Sequence, residues 1–490
     1  MTSRSILLAP TLAAGLAAVL LCGCAAVGPD FEAPAAPAAS GLAMKGDDAS
    51  PAAAIGAAAP AGAWWLSLGS PDLDHTIRQA LKDSPSLAEA DATLTAAAEN
   101  AAAAGVQLGP QGGVTAAASR DRINLAAYGF TSFPNPTVSL YSVGGTVSYD
   151  LDLFGGRRRA LESAKAQAEA QAYRAGAAYL TLTGDVALQA VQIAALRAQI
   201  AAANAVIADD RSNLDLVRKA LQAGSAPPAA QVSALAQLAE DRAAVPPLTQ
   251  ALAQARHALA VLVGRAPSDY DAPAFDLTAI QAPASLPVEL PSELAHRRPD
   301  ILAAEADLHA ATAEIGVQQA KLYPDITLSA GLTQTALTPD KILDYGFSGW
   351  NIGPGLSLPV LGREGLSDQK KAAEANARVA FARYQQTVLQ AFGQVADALQ
   401  ALASDEATIQ AETETGAQAQ KNLDNMRFAY ANGGGTLLDV TDAQRGLSRA
   451  RIALAQAQGR KLADVVRLYM ATGADWADLG AERSLAANAG

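Results

Sequence analysis

The sequence predicts a mainly α-helical chain with a membrane-crossing β-section and an internal two-fold repeat. Three observations carry that expectation: large side chains recur every seven residues, the chain matches itself at an offset of about 210, and each half interrupts its helices with two short segments of alternating polarity. Composition agrees. Alanine supplies about a quarter of the 490 residues while aromatics are 5%, which favours long helices at close approach over a thick globular core.

Taken in order, residues 1–23 read as a signal peptide. Arg4 is the only charge before an apolar run from Ile6 to Leu21, which is short for a membrane span and broken by Pro10. Removing these residues deletes one Arg and leaves 35 basic against 48 acidic side chains, a mature charge of -13. Residues 24–63 are rich in Ala, Pro and Gly and cannot bury enough area to fold alone, so they read as a tether. The first structural repeat spans 64–280, the second 281–475, and a tail covers 476–490.

Each repeat opens with a helix: Leu87, Leu94, Ala101 and Leu108 in the first, Ile301, Leu308, Ile315 and Leu322 in the second, all seven apart. Two strands are expected next. They are Gly112 to Arg120 with Tyr141 to Leu151, then Ile326 to Gln334 with Trp350 to Leu358. At about ten residues they match tilted membrane-crossing strands. Four strands cannot close a barrel, and open sheet edges are not tolerated in lipid, so a membrane crossing requires several copies.

The longest element should be an unbroken helix from Arg157 to Gln222, whose 66 residues span roughly 100 Å at about 1.5 Å per residue. Its large residues keep a strict heptad through Tyr179, Val186, Ile193, Ile200, Ile207, Leu214 and Leu221. Adding 209 gives Val388, Val395, Leu402, Ile409, Gly416, Leu423 and Tyr430. A sustained heptad imposes a left-handed supercoil. Return helices follow, through Leu238, Val245, Leu252 and Leu259, and through Leu447, Leu454, Lys461 and Leu468. Gly224-Ser225-Ala226-Pro227-Pro228 and Asn432-Gly433-Gly434-Gly435 stop the long helices. Pro246-Pro247 should bend the first return helix.

These residues together resemble the TolC-type outer-membrane factors, in the lipidated NodT/OprM-like branch serving resistance-nodulation-division efflux pumps. Leu21-Cys22-Gly23-Cys24 resembles a lipobox, which makes Cys24 the lipidated residue, and Ala25 after it points to the outer membrane. Cys24 to Phe31 is similar to the family's start, Trp64-Trp65-Leu66-Ser67-Leu68-Gly69-Ser70-Pro71 to its first folded segment, and Asp150 to Arg157 to its strand-to-helix junction. Leu290-Pro291-Ser292-Glu293-Leu294 through Arg298-Pro299-Asp300-Ile301 is the most specific match, continuing to Tyr323-Pro324. The resemblance covers roughly residues 24 to 475. It implies a homotrimer with a twelve-stranded barrel, four strands from each protomer, continued by a long coiled-coil α-barrel.

The implied function is a passive gated duct that exports small toxic compounds or drugs from periplasm to exterior. Its implied partners are a periplasmic adaptor, an inner-membrane resistance-nodulation-division transporter and outer-membrane lipids. By resemblance the periplasmic gate lies at Leu438-Asp439-Val440-Thr441-Asp442-Ala443-Gln444, with Asp439 and Asp442 at the constriction. Two carboxylates from each of three copies, six in all, would form a charged ring that favours cations. A helix cap is the other reading, since Thr436 precedes a helix whose early turns hold both acids; both readings can hold together. Tyr430 matches the Tyr of the family's closing bridge, but Gly435 and Ala230 stand where its Arg and Asp would be.

Other chemistries find little footing. Cys22 and Cys24 exclude a disulfide framework or a four-thiolate zinc site. His75, His257, His296 and His309 lack metal-ligand spacing, and Gly433-Gly434-Gly435-Thr436 lacks the Lys of a phosphate loop. No cofactor beyond the lipid on Cys24, no metal and no catalytic residue is expected. An acidic chain with net charge -12 is a poor match for nucleic acid, and Arg157-Arg158-Arg159 reads as a helix start at a headgroup layer. Rival readings are a duct for type I protein secretion or metal-ion efflux and, more distantly, a structural periplasmic coiled-coil lipoprotein.

Overall fold

The computed structural model describes residues 26–37, 41, 44, 63–129, 131–132, 134–283, 286, 297–474 and 476. Cys24, most of the tether, residues 290–294 of the Arg-Pro-Asp-Ile segment, His296 and the tail after 476 lie outside the described residues. The helices are α1 (Pro71–Asp83), α2 (Pro85–Val106), α3 (Gly156–Gln222), α4 (Pro228–Ala243), α5 (Val245–Leu262), α6 (Pro299–Ala320), α7 (Arg363–Ala431) and α8 (Leu437–Ala471). Strands β1 (Gln111–Arg122) and β2 (Thr137–Asp150) separate α2 from α3, and β3 (Asp325–Ala336) and β4 (Ser348–Ser357) separate α6 from α7. The second half thus repeats the helix–strand–strand–long helix–return helix order of the first. Two compact units form: Met1–Pro34 with Leu94–Gln171 and Ala304–Tyr384, and Ala35–Thr93 with Ala172–Ala303 and Gln385–Gly490. Each unit draws on both repeats.

The first unit holds one antiparallel sheet in the order β1-β2-β3-β4. Its register stacks Val114 opposite Gly145, Val147 opposite Ala330, Tyr149 opposite Leu328, and Leu332 opposite Trp350. Directly opposed residues share a face, so one face collects Val114, Val147, Tyr149, Leu328, Leu332, Trp350, Ile352 and Leu356, all exposed. The other face carries Thr146, Ser148, Thr333, Ser329 and Asn351. Strand β2 begins at Thr137 rather than at the expected Tyr141, because the ladder continues until Thr137 stands opposite Arg122.

Below the sheet, Asp152 adopts φ 43° and its two carboxylate oxygens accept from the backbone N–H groups of Arg157 and Arg158 at 2.9 and 3.0 Å, capping the start of α3. The Arg157-Arg158-Arg159 triplet stands at a helix start, as expected, and each of its side chains finds a partner within the chain. Arg157 pairs with Asp150 at 2.8 Å, Arg158 with Asp152 at 3.3 Å, and buried Arg159 with Asp30 and Glu162. The N-terminal stretch lies against α6 at Gly28, where φ is +97° and a Cβ would meet the Gly316 backbone at 2.5 Å.

In the second unit the core gathers Trp64, Trp65, Leu68, Leu73 and Ile77 against Val186 and Ile193 of α3, Leu259 of α5, and Val465, Leu468 and Tyr469 of α8. Trp64 stacks on Tyr469 with ring centroids 5.1 Å apart. The heptad row behaves as its period demands: Tyr179, Val186, Ile193, Ile207 and Leu214 are buried on α3, and Val388, Val395, Leu402 and Leu423 on α7. The first return helix is interrupted at Ala244, which keeps helical dihedrals of φ -73° and ψ -23° and whose N–H donates to the Asp241 carbonyl at 3.3 Å. Pro246 and Pro247 fall in the first turn of α5, where a missing N–H costs little. At the position of the expected bend the helix is thus interrupted by one residue, the two prolines lacking the N–H groups that would bridge it.

Candidate functional site

The candidate site is the end of the second unit where the long helices turn back. Helix α3 stops at Gln222 and Gly224 takes φ +72°, while α7 stops at Ala431 and Gly433 takes φ +75°. Both glycines occupy left-handed positions that end helices. The chain then starts α8 with a reciprocal cap. The Thr436 hydroxyl accepts from Asp439 N at 3.2 Å, and the Asp439 carboxylate accepts from Thr436 N at 2.8 Å. The Thr436 hydroxyl, donating to Asp439 Oδ2 at 2.6 Å, and then the Thr436 N–H hold the Asp439 carboxyl below the usual carboxylate range.

Asp442, one turn on, pairs with Arg445 at 3.1 Å and remains 61% exposed. Tyr430 and Leu438 are also exposed, at 40% and 64%, and line one cavity together with Thr436. The structure thus brings Tyr430 and Leu438 to the same wall, and leaves Asp439 and Asp442 on the solvent side of α8. Gly435 and Ala230 offer no side chain to complete a polar bridge from Tyr430. Small apolar clusters hold the two hairpins instead: Leu423 with Val440, Ala443 and Leu447, and Ile207 with Leu214 and Leu238. One buried polar contact links α3 to α8, from the Asn213 amide to Gln444 Oε1 at 2.9 Å.

The sequence reading missed two acid pairs, one half-buried and one buried. Asp210 on α3 faces Asp241 on α4. Burial, then the facing Asp241, push its carboxyl up to about 7, against the opposing pull of Arg445. Asp405 on α7 faces Asp464 on α8, and burial with that neighbour raises it to about 6 although Arg460 stands 3.7 Å away. One oxygen of each raised acid, Asp210 Oδ2 and Asp405 Oδ2, is buried without a donor. Two ionised carboxylates at this spacing repel, and a single shared proton relieves each pair.

A signal for them was present. Asp210, Asp241, Asp405 and Asp464 each stand three residues after a member of a heptad row: Ile207, Leu238, Leu402 and Lys461. That spacing marks the second buried position of a coiled coil, where Ala203 and Val217 flank Asp210 seven residues to either side, both buried. Among the described residues, no group of three or more His, Cys, Asp or Glu side chains is placed to hold a metal ion.

Comparison with known proteins gives concordant matches. The chain matches the family described as Outer membrane efflux protein over residues 76–265 and 290–474. It is 31% identical to the pyoverdine export outer membrane protein OpmQ of Pseudomonas aeruginosa, over 84% of this chain and 87% of that protein. It is 27% identical to nodulation protein T of Rhizobium leguminosarum bv. trifolii, over 93% and 96% respectively. Among solved structures, the outer-membrane channel OprN superposes with a TM-score of 0.84 at 27% identity, covering 92% of this chain and 99% of that one. The open state of the Neisseria gonorrhoeae MtrE outer membrane channel gives 0.79 at 26%, covering 92% and 98%.

Proposed function

We infer the mechanism from one premise: the chain belongs to the outer membrane efflux protein family. It is an outer-membrane efflux channel, the outer component of a tripartite pump. The observation that carries the mechanism is the sheet. One face is apolar and exposed, the other polar, and β1 and β4 each pair on one side only. Such a sheet suits a barrel wall between lipid and water, closed by further copies because lipid leaves no unpaired edge. Three protomers with four strands each would give a twelve-stranded barrel. The heptad-bearing long helices would continue it as a periplasmic wall, whose tip an adaptor reaches and whose driving work an inner-membrane resistance-nodulation-division transporter supplies. Cys24 is the proposed lipid anchor. No catalytic step is part of the mechanism.

At the tip, Asp439 and Asp442 are proposed as a cation-attracting constriction, with Leu438 and Tyr430 as its apolar rim. The capping bonds of Asp439 are compatible with that role, since its carboxyl stays ionised while it caps. The relatives include proteins named for pyoverdine export, for cation efflux and for antibiotic efflux, so the duct itself selects little and the pump chooses. The test has two arms. Deleting the gene should raise susceptibility to at least one class of dye, detergent, antibiotic or metal ion; unchanged susceptibility to all of them removes the efflux assignment. In planar bilayers, Asp439→Ala combined with Asp442→Ala should lower cation preference and increase open time, and unaltered conductance reduces both acids to helix caps.

A further inference from the structure

At the tip of the second unit a cavity of about 620 Å³ opens between the two helical hairpins, with walls from α3, α4, α7 and α8. That volume is in the range of drug-sized ligand sites, roughly 300–1,000 Å³. Val217, Ala234, Pro227, Leu437 and Tyr430 make most of the wall apolar. Asp210 lines it too, with its residue only 6% exposed and its Oδ2 lacking any donor. Behind it stands the Asp241 carboxylate, which accepts from Gln237 at 2.6 Å, and Asp209 adds a third acid on α3. Arg445 of α8 lines the same cavity and pulls the Asp210 carboxyl down; its Nη1 donates to Asp442 at 3.1 Å and its Nε is buried without an acceptor, so one guanidinium stands against the three acids Asp209, Asp210 and Asp241. An apolar chamber ending in an unpartnered carboxylate, backed by further carboxylates, is complementary to a charged N–H donor on an apolar body.

We propose that this cavity is a binding site for a small organic cation, a protonated amine carrying an aromatic or alicyclic body, with Asp210 accepting from the ammonium. The cavity shares Tyr430 and Leu438 with the rim of the constriction, while its acid, Asp210 on α3, is not one of the two acids of that ring. Its walls come from both hairpins, so an occupant stabilises their present spacing. In the empty site Asp210 and Asp241 relieve their repulsion by sharing a proton; an arriving ammonium takes that place and the proton leaves to solvent. Binding is therefore proton-linked. Because the empty pair holds its proton up to about neutral pH, the amine must displace a proton below that range and binds more tightly as pH rises through it.

The experiment is calorimetric titration of the full-length protein in lipid nanodiscs with propranolol, a naphthyl ether bearing a secondary amine, with empty nanodiscs subtracted. One saturable site per chain is expected, with affinity rising at least about five-fold between pH 6 and pH 8 and with proton release at the lower pH. Asp210→Asn should weaken binding by about ten-fold or more, the loss expected for a charge-assisted hydrogen bond, and flatten the pH dependence. Ala230→Trp, which fills the cavity without touching the acid pair, should abolish binding, and Asp405→Asn in the other acid pair should leave it unchanged. Equal binding by the neutral diol of the same naphthyl ether overturns the proposal. So does wild-type affinity in Asp210→Asn, or the absence of saturable binding.

Discussion

The two ends of α8 are held by different physics. At its C-terminal end Val465, Val466, Leu468 and Tyr469 are almost fully buried and join the core built on Trp64 and Trp65. At its N-terminal end the buried apolar residues are Val440, Ala443 and Leu447, in a small cluster with Leu423, with Gln444 buried beside them, while Leu438 stands in solvent. What positions the N-terminal end is directional instead: the Thr436–Asp439 cap and the Asn213–Gln444 hydrogen bond. Apolar burial contributes roughly 1.5–3 kcal/mol per large side chain, and a neutral hydrogen bond about 1. One end is thus anchored and the other is cheap to displace, an arrangement suited to a gate hinged on a fixed base.

The sharpest way to break that contrast is to truncate one side chain at each end. Trp64→Ala should lower unfolding stability by about 3–5 kcal/mol, since the indole is fully buried in the core at the α8 C-terminal end. Leu438→Ala should change it by no more than about 0.5 kcal/mol. Guanidinium unfolding of the purified protein reads both, and comparable losses would mean that the tip is as firmly packed as the base.

A second contrast along the same helix concerns its acids. Asp439 is solvated and held below the normal range, whereas Asp464 is buried against Asp405 and forces that neighbour up. Asp464 accepts from Arg467, and Asp405 has Arg460 as its nearest cation, with the Glu406–Lys461 pair alongside. The folded chain holds the Asp405 proton to about pH 6, while the unfolded chain releases it near 3.8. Folded-state proton binding then exceeds unfolded, so stability falls as pH rises from about 4 to about 6 and stays lowered above. Asp405→Asn should therefore stabilise the protein at pH 7.5 by roughly 1–3 kcal/mol and give no gain at pH 4. Thermal melts at the two pH values test this. Destabilisation at pH 7.5 would show that the Asp405 charge is favourably held by Arg460.

The two contrasts also separate what the sequence made legible from what it did not. Periodicity together with the Gly224 to Pro228 stop placed the first long helix to within a residue: Arg157 to Gln222 is expected and Gly156–Gln222 is found. A seven-residue row of large side chains has no other low-energy use, and the alternation in Thr146-Val147-Ser148-Tyr149 marked the two faces of a strand in the same way. Resemblance marked Asp439 and Asp442, and Thr436 foretold the cap. The acid pairs were harder to see because a heptad row was followed through its large members, and an Asp at the accompanying buried position reads as a solvated charge until its facing residue is known. Pairing of Asp210 with Asp241 depends on the register of two helices across a turn, which one helix's period does not specify. The Arg157-Arg158-Arg159 triplet shows the converse: the run marked a helix start, but its partners Asp150, Asp152, Asp30 and Glu162 become visible only once strand and helix meet.

The smallest expected effect sharpens the gate end itself. Thr436→Ala removes the hydroxyl that accepts from Asp439 N, and N-cap losses of this kind cost about 1 kcal/mol. The loss should stay local, because the cap touches none of the core around Trp64. Hydrogen exchange of the purified protein should therefore quicken about five-fold in the first turns of α8, from Leu437 to Gln444, and remain unchanged from Leu462 to Tyr469. Asp439 adds a pH signature. Its carboxyl is held low by Thr436, so the cap contributes fully above the ordinary carboxylate range and is lost only as pH falls below it. Exchange in that first turn should then be insensitive to pH between 5 and 8 once intrinsic rates are divided out. A rise in protection on acidification through that window would mean that Asp439 repels its surroundings, as a crowded carboxylate ring does, and that the ring outweighs the cap.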